Sequence, residues 1–137
     1  MKRALTGFCS IVAVALLPTA ANAASSTPYG MGGNVLQFDQ AVEQANRSGE
    51  LFRIEGHCQS ACTQFLRVRN VCIDRNAELL FHAAKGGSAK TAVMLNAYRP
   101  ALRNYLMANH YMDTQEFHTI SGAEMISRFG YRECPPK

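Results

Sequence analysis

The sequence predicts a small α/β domain stapled by disulfides, and three observations lead there. Short apolar strand-like runs alternate with helix-period segments between about residues 35 and 129. The N-terminus reads as an export leader. Four cysteines remain once that leader is removed, an even set in a chain bound for an oxidising compartment.

The leader is MKRALTGFCSIVAVALLPTAANA. Lys2 and Arg3 form a basic start, residues 4–17 are mostly apolar, and Pro18 breaks the run ahead of Ala21-Asn22-Ala23, a small-residue cleavage pattern. The apolar run is too short to span a bilayer. Cleavage is expected after Ala23, giving a signal peptide at 1–23, one domain at 24–137 and a periplasmic or secreted product without a membrane span. Loss of Lys2 and Arg3 lowers the formal charge from +4 to +2, so the basic balance does not indicate a nucleic-acid partner.

Within the domain, residues 24–33 are small and turn-rich and end in Gly32-Gly33. Val35, Phe38, Val42 and Ala45 recur at helical spacing, which predicts a helix over 35–47 with Ser48-Gly49 as its stop. LFRIE at 51–55 reads as a strand closed by Gly56, and Ala61 to Val68 as a short helix. Val71 to Ile73 is the next strand, 74–76 a turn, and ELLFH at 78–82 a third strand. The longest helical pattern runs from Thr91 to Asn109, kinked or divided at Pro100. Ser121 to Phe129 is a last helix, with Ser121 as N-cap, Glu124 in the capping-box position and Gly130 after it.

Cys9 leaves with the signal, so Cys58, Cys62, Cys72 and Cys134 are expected to form two disulfides, with three pairings open. Cys58 to Cys62 would close a very short loop; Cys62 with Cys72 and Cys58 with Cys134 is the pairing expected. Cys58, Cys62, Cys72 and His82 also make a zinc-type set, but the spacing is not that of paired C-x-x-C ligands and export favours oxidation. No metal and no cofactor is expected.

The chemistry centres on GHCQSAC at 56–62. Gly56 and a small-residue turn put Ser60 at the start of a helix, with the Ala61 N–H facing the same space, which is the logic of a nucleophile elbow without the G-x-S-x-G form. The Gly32-Gly33 loop precedes another helix, and His82 ends a strand, so all three converge if the strands lie side by side in a parallel sheet. A serine, a base and two N–H donors are the minimum set for acyl transfer. The plainer alternatives are that Ser60 caps its helix and His82 is structural. His57, His110 and His118 read as surface residues, Arg67, Arg69 and Arg75 as a solvated face, and Met107 and Met112 as core filler.

The ordered series GGNV, helix, LFRIEG, HCQSAC, helix, VCIDRNAELLFHAA resembles the proteolytic subunit of the Clp protease, in the Clp/crotonase superfamily. It is closer still to exported Clp-like proteins whose serine is framed as G-x-C-x-S-A-C-T. The match runs from about Gly32 to Ala83, with a weaker echo in SGAEMISRFG at 121–130. The resemblance implies a truncated Clp/crotonase-like fold of the spiral ββα type and a serine peptidase or hydrolase acting on a peptide or acyl substrate. It implies Ser60 as nucleophile, His82 as general base, and the N–H groups of Gly33 and Ala61 as oxyanion hole. It also implies a homo-oligomer, since the family's subunits form rings through a helical handle that falls here at about residues 91–112.

Two departures stand out. The leading βα unit of the family is missing, and the aspartate that completes its triad has no clean counterpart. YMDTQEFHTI offers Asp113, Glu116 and His118, with Phe117 at the aligned place; Glu116 is the residue expected to orient His82. The alternative to an enzyme is therefore a catalytically inactive relative that keeps the fold as a binding module.

Overall fold

The computed structural model describes residues 24–137, which form a mixed α/β domain of two three-stranded sheets with helices packed around them. The leader and cleavage site expected at 1–23, and Cys9 with them, lie outside the described residues. Among those that are described, no helix is long and apolar enough to cross a membrane.

The first sheet is parallel. Strand β1 (Ala24–Ser25) leads into a helix, α1 (Val35–Ser48), which returns the chain to β2 (Phe52–Ile54), and β2 pairs with β4 (Val71–Ile73). The side chain of Asn34 caps α1 by accepting the N–H groups of Leu36 and Gln37 at 2.9 and 3.3 Å. Gly49 closes the helix as expected, in the left-handed conformation at φ 69°. Val35, Phe38 and Val42 are the buried stripe that fixes the helix to the core. There Phe65 stacks on Phe52 at 4.3 Å between ring centres and meets Phe38 and Tyr29 edge-on at 5.7 and 5.0 Å.

The second sheet holds β3 (His57–Gln59), β5 (Glu78–Phe81) and β6 (His118–Ser121). β3 and β5 run parallel, and β6 runs antiparallel to β5. The chain alternates between the sheets: β2 and β4 belong to the first, and each is followed by a strand of the second, β3 and β5. A helical segment follows each such pair, the 3-10 helix Ser60–Arg67 after β3 and α2 (Ser88–Asn96) after β5. Gly56, at φ 63°, turns the chain from one sheet into the other.

Several expectations need correction. The parallel arrangement that would set Ser60 and His82 side by side holds between β3 and β5, in a second sheet that β6 makes mixed. The Ala61 to Val68 helix is 3-10 in kind and begins at Ser60. The 91–109 pattern is two helices, α2 and α3 (Pro100–Ala108), the division falling where Pro100 can start a helix but not continue one. β1, β3 and β6 are too short or too polar to stand out by alternation, and only pairing reveals them. The last helix, α4 (Gly122–Ser127), keeps its cap: the Ser121 hydroxyl accepts the Glu124 N–H at 3.1 Å. Met112 is buried as expected, but Met107 is 54% exposed on the outer side of α3.

All four cysteines are in disulfides, but the pairing differs from the one expected. Cys58 joins Cys62, four residues away, and Cys72 joins Cys134, 62 residues away. The short loop is feasible because β3 ends at Gln59 and the chain turns directly into the 3-10 helix, leaving the two Cα atoms 5.3 Å apart, within the span a disulfide bridges. That leaves Cys72, in the central part of β4, for the C-terminal tail, which adds to the strand edge through Cys134 N–H to the Ile73 carbonyl at 3.0 Å. With their thiols oxidised, these cysteines supply no thiolate to a zinc ion, and no cluster of metal-ligating side chains occurs among the described residues.

Candidate functional site

Ser60 stands where β3 becomes the 3-10 helix, with φ at 55°. A left-handed backbone costs a residue with a Cβ about 1–2 kcal/mol, so something must hold it there. Two local constraints do so. The Cys58–Cys62 disulfide clamps the turn from both sides. The Thr63 hydroxyl donates to the Ser60 carbonyl at 2.7 Å and meets the buried Tyr98 hydroxyl at 2.6 Å, tying the turn to the core. Burial pushes the Tyr98 phenol far above its ordinary range, so it stays a neutral partner. Ser60 is not the helix cap: Gln59 holds that position, and its side chain makes no capping hydrogen bond.

The glycine loop lies against this turn. A Cβ added to Gly32, itself at φ 73°, would come within 2.7 Å of the Gln59 carbonyl oxygen and 3.0 Å of the Ser60 Cβ, with the Ala61 nitrogen 3.4 Å away. Only glycine permits that approach. β3 secures the loop from its other side, with Gln59 N–H donating to the Gly30 carbonyl at 2.9 Å and the Gln59 amide to the Met31 carbonyl at 3.0 Å. The Gly32 N–H is spent on the Tyr29 carbonyl, whereas the Gly33 N–H enters no turn or loop hydrogen bond among the described residues. The Ala61 N–H lies in the first turn of its helix, where no earlier helical carbonyl can take it. Gly33 and Ser60 thus line one cavity, while Ala61 is fully buried behind the serine and is not part of the cavity wall.

His82 follows β5 and shares with Ser60 and Gly33 a cavity of about 270 Å³. It is only 4% exposed, and neither ring nitrogen has a hydrogen-bond partner among the described residues. Burial, and then the positive charge of Lys85, push its pKa below the ordinary histidine range, so the ring is neutral at pH 7. The loop after it is fixed by Ala83 N–H to the Thr114 carbonyl at 2.7 Å and Ala84 N–H to the Thr91 hydroxyl at 3.0 Å.

The register of β6 decides what faces His82. Phe81 pairs with His118, so the residue before His118 falls beside the residue after Phe81. That residue is Phe117, whose ring lies 4.5 Å from the His82 ring. Glu116 is exposed, makes a backbone hydrogen bond to the Thr114 hydroxyl, and does not reach either nitrogen of His82. Asp113 pairs with His110 at 2.7 Å on the surface, and His118 stacks on Tyr111 at 4.1 Å. His57 is exposed, bonded to the Gln59 side chain at 2.8 Å.

Lys85 and Lys90 also line the cavity, and reading the sequence gave them no role. The signal was modest: Lys85 lies three residues after His82, and Lys90 just beyond the Gly-Gly-Ser loop. Ser60 in its constrained turn, the His82 imidazole and Gly33 share one cavity, with neither nitrogen of His82 hydrogen-bonded to Ser60; a serine, a base and N–H donors are the groups that acyl transfer requires. No protein-family model and no curated protein matches the sequence.

Proposed function

We propose that the protein is an exported serine hydrolase of Clp-like type, with peptides or related acyl compounds as substrates, Ser60 as nucleophile and His82 as general base. The observation that carries this is the left-handed Ser60, held at a strand-to-helix turn on the same cavity as a buried, unpartnered His82. The alternation of strands between two sheets, each pair followed by a helical segment, supports a truncated version of the Clp/crotonase spiral. Two disulfides support an oxidising destination such as the periplasm.

In this reading Ser60 Oγ attacks the substrate carbonyl carbon and its proton passes to His82. The carbonyl oxygen becomes an oxyanion facing the N–H groups of Gly33 and Ala61, each such donor being worth roughly 3–4 kcal/mol. Collapse expels the leaving group, which takes the proton from His82. Water then cleaves the acyl-serine ester by the same route and restores the hydroxyl.

A fluorophosphonate probe tests the reading on folded, oxidised protein. Labelling that Ser60→Ala abolishes and His82→Ala strongly slows is the expected result. No labelling of the native protein sinks it. One observation favours a second reading: Phe117 packs on His82 where the family resemblance places a carboxylate, so an inactive binding module accounts for the same cavity. That module would leave Ser60 unlabelled and still bind a ligand at the cavity.

A further inference from the structure

The cavity that joins Ser60 to His82 is electrically one-sided. Lys85 and Lys90 are the charged side chains on its wall, and no carboxylate lines it among the described residues. Neither lysine enters an ion pair among the described residues; the pairs fall on Arg53, Arg67, Arg75, Arg128, Lys137 and His110. The first turn of α1 opens on the same space, adding the positive end of a helix. On the same wall His82 keeps two buried nitrogens that no group among the described residues satisfies, which leaves them for a ligand. Met31, largely exposed, and Phe117, partly exposed, supply an apolar wall.

From this we propose that the cavity takes an acyl substrate bearing its own carboxylate, which sits between Lys85 and Lys90 while its apolar stem lies along Met31 and Phe117. The inference rests on the serine hydrolase reading and names the substrate class for it. The physical reason goes beyond simple attraction. When Ser60 gives up its proton, His82 becomes an imidazolium beside two ammonium groups, and Phe117 offers no compensating charge. With a neutral substrate the only negative charge that forms with it is the oxyanion itself. A substrate carboxylate supplies the negative charge the protein lacks, so the preference enters the chemical step as well as binding.

The experiment compares mono-p-nitrophenyl adipate with p-nitrophenyl hexanoate, which share chain length and leaving group and differ in the terminal carboxylate. Rates are taken over the Ser60→Ala background, for the wild type and for Lys85→Gln/Lys90→Gln. Both lysines are exposed, so the double variant should keep its fold, which an unchanged melting curve checks. The expected kcat/KM ratio favours adipate about tenfold, falling towards one in the double variant, since two screened ion pairs together are worth about that much. Titration with adipic acid monoanilide, followed by the His82 ring resonances, should show binding that weakens in parallel. Equal hydrolysis of both esters through Ser60, or a ratio indifferent to the lysines, overturns the carboxylate inference and leaves the hydrolase reading standing. Hydrolysis of neither ester above background counts against the hydrolase reading instead. In that case lysine-dependent binding of the anilide upholds the carboxylate site, and its absence overturns that too.

Discussion

Ser60 and His82 line one cavity, the serine in a left-handed turn after β3 and the histidine just beyond the end of β5. Both were readable from spacing, because a glycine-bounded turn and a strand end are marked by residue type. The partner of His82 was not, because it is set by the pairing of β5 with β6, and β6 is a polar four-residue strand with little alternation. The result is a histidine whose pKa is lowered by burial and by Lys85, with no carboxylate to raise it again. The ring therefore stays neutral below the pH at which an ordinary histidine takes up a proton, and in the proposed reaction the neutral ring is the form that accepts the serine proton. Fluorophosphonate labelling of Ser60 should rise with pH to a plateau, with a midpoint below the ordinary histidine value of about 6.5. Stability follows the same sign. The unfolded chain binds the proton more readily than the folded one, so the stabilisation is complete above about pH 6.5 and is lost as pH falls through the lowered value. His82→Leu should flatten that part of the stability profile. A labelling midpoint above 6.5 would mean that a nearby acid, Glu116 included, governs the ring after all.

Elements carry the site in a different way: each of its parts begins or ends one. The Gly32-Gly33 loop precedes α1, Ser60 starts the 3-10 helix, and His82 follows β5. Helices with a clear apolar stripe and marked ends, such as α1 with Gly49 behind it, could be placed from the sequence to within a residue or two. The division at Pro100 was also visible. What escaped was sheet membership, since a three-residue strand contains no record of which neighbour it joins. The close fit of the glycine loop to the elbow gives a test at this scale. Gly32→Ala and Gly49→Ala both force a left-handed alanine, at φ 73° and 69°, costing about 1–2 kcal/mol each. At Gly49 the new methyl meets nothing within 4 Å, whereas at Gly32 it strikes the Gln59 carbonyl and the Ser60 Cβ. Urea unfolding should therefore find Gly32→Ala the less stable, and probe labelling should fall sharply for it alone. Equal loss of labelling in the two variants would show that the loop does not shape the elbow.

At the scale of the whole molecule, the two disulfides divide stability from function. The cysteine count pointed to two, but the pairing expected, Cys62 with Cys72 and Cys58 with Cys134, was wrong, because the chain direction after Gln59 decides which sulfurs can meet. Cys72–Cys134 closes a loop of 62 residues and binds the C-terminal tail to the first sheet. Cys58–Cys62 spans four residues and belongs to the second sheet and the elbow. In the chain-entropy account the long loop is worth about 4 kcal/mol and the short one about 2. A domain of this size has a net stability of only some 5–15 kcal/mol, so the long bridge matters to whether it stays folded. The short bridge matters to a smaller region, since with it holds a serine in a conformation that serine alone disfavours. Cys72→Ala/Cys134→Ala should lower the unfolding free energy by about 4 kcal/mol in urea titrations, yet leave Ser60 reactive under conditions where the domain remains folded. Cys58→Ala/Cys62→Ala should cost about half as much stability and still remove most of the probe labelling, because the freed turn relaxes away from the left-handed region. If instead labelling tracks stability across the two variants, the elbow is held by the fold at large, by Thr63 and Tyr98 above all, and the bridge beside Ser60 serves only to strengthen the domain.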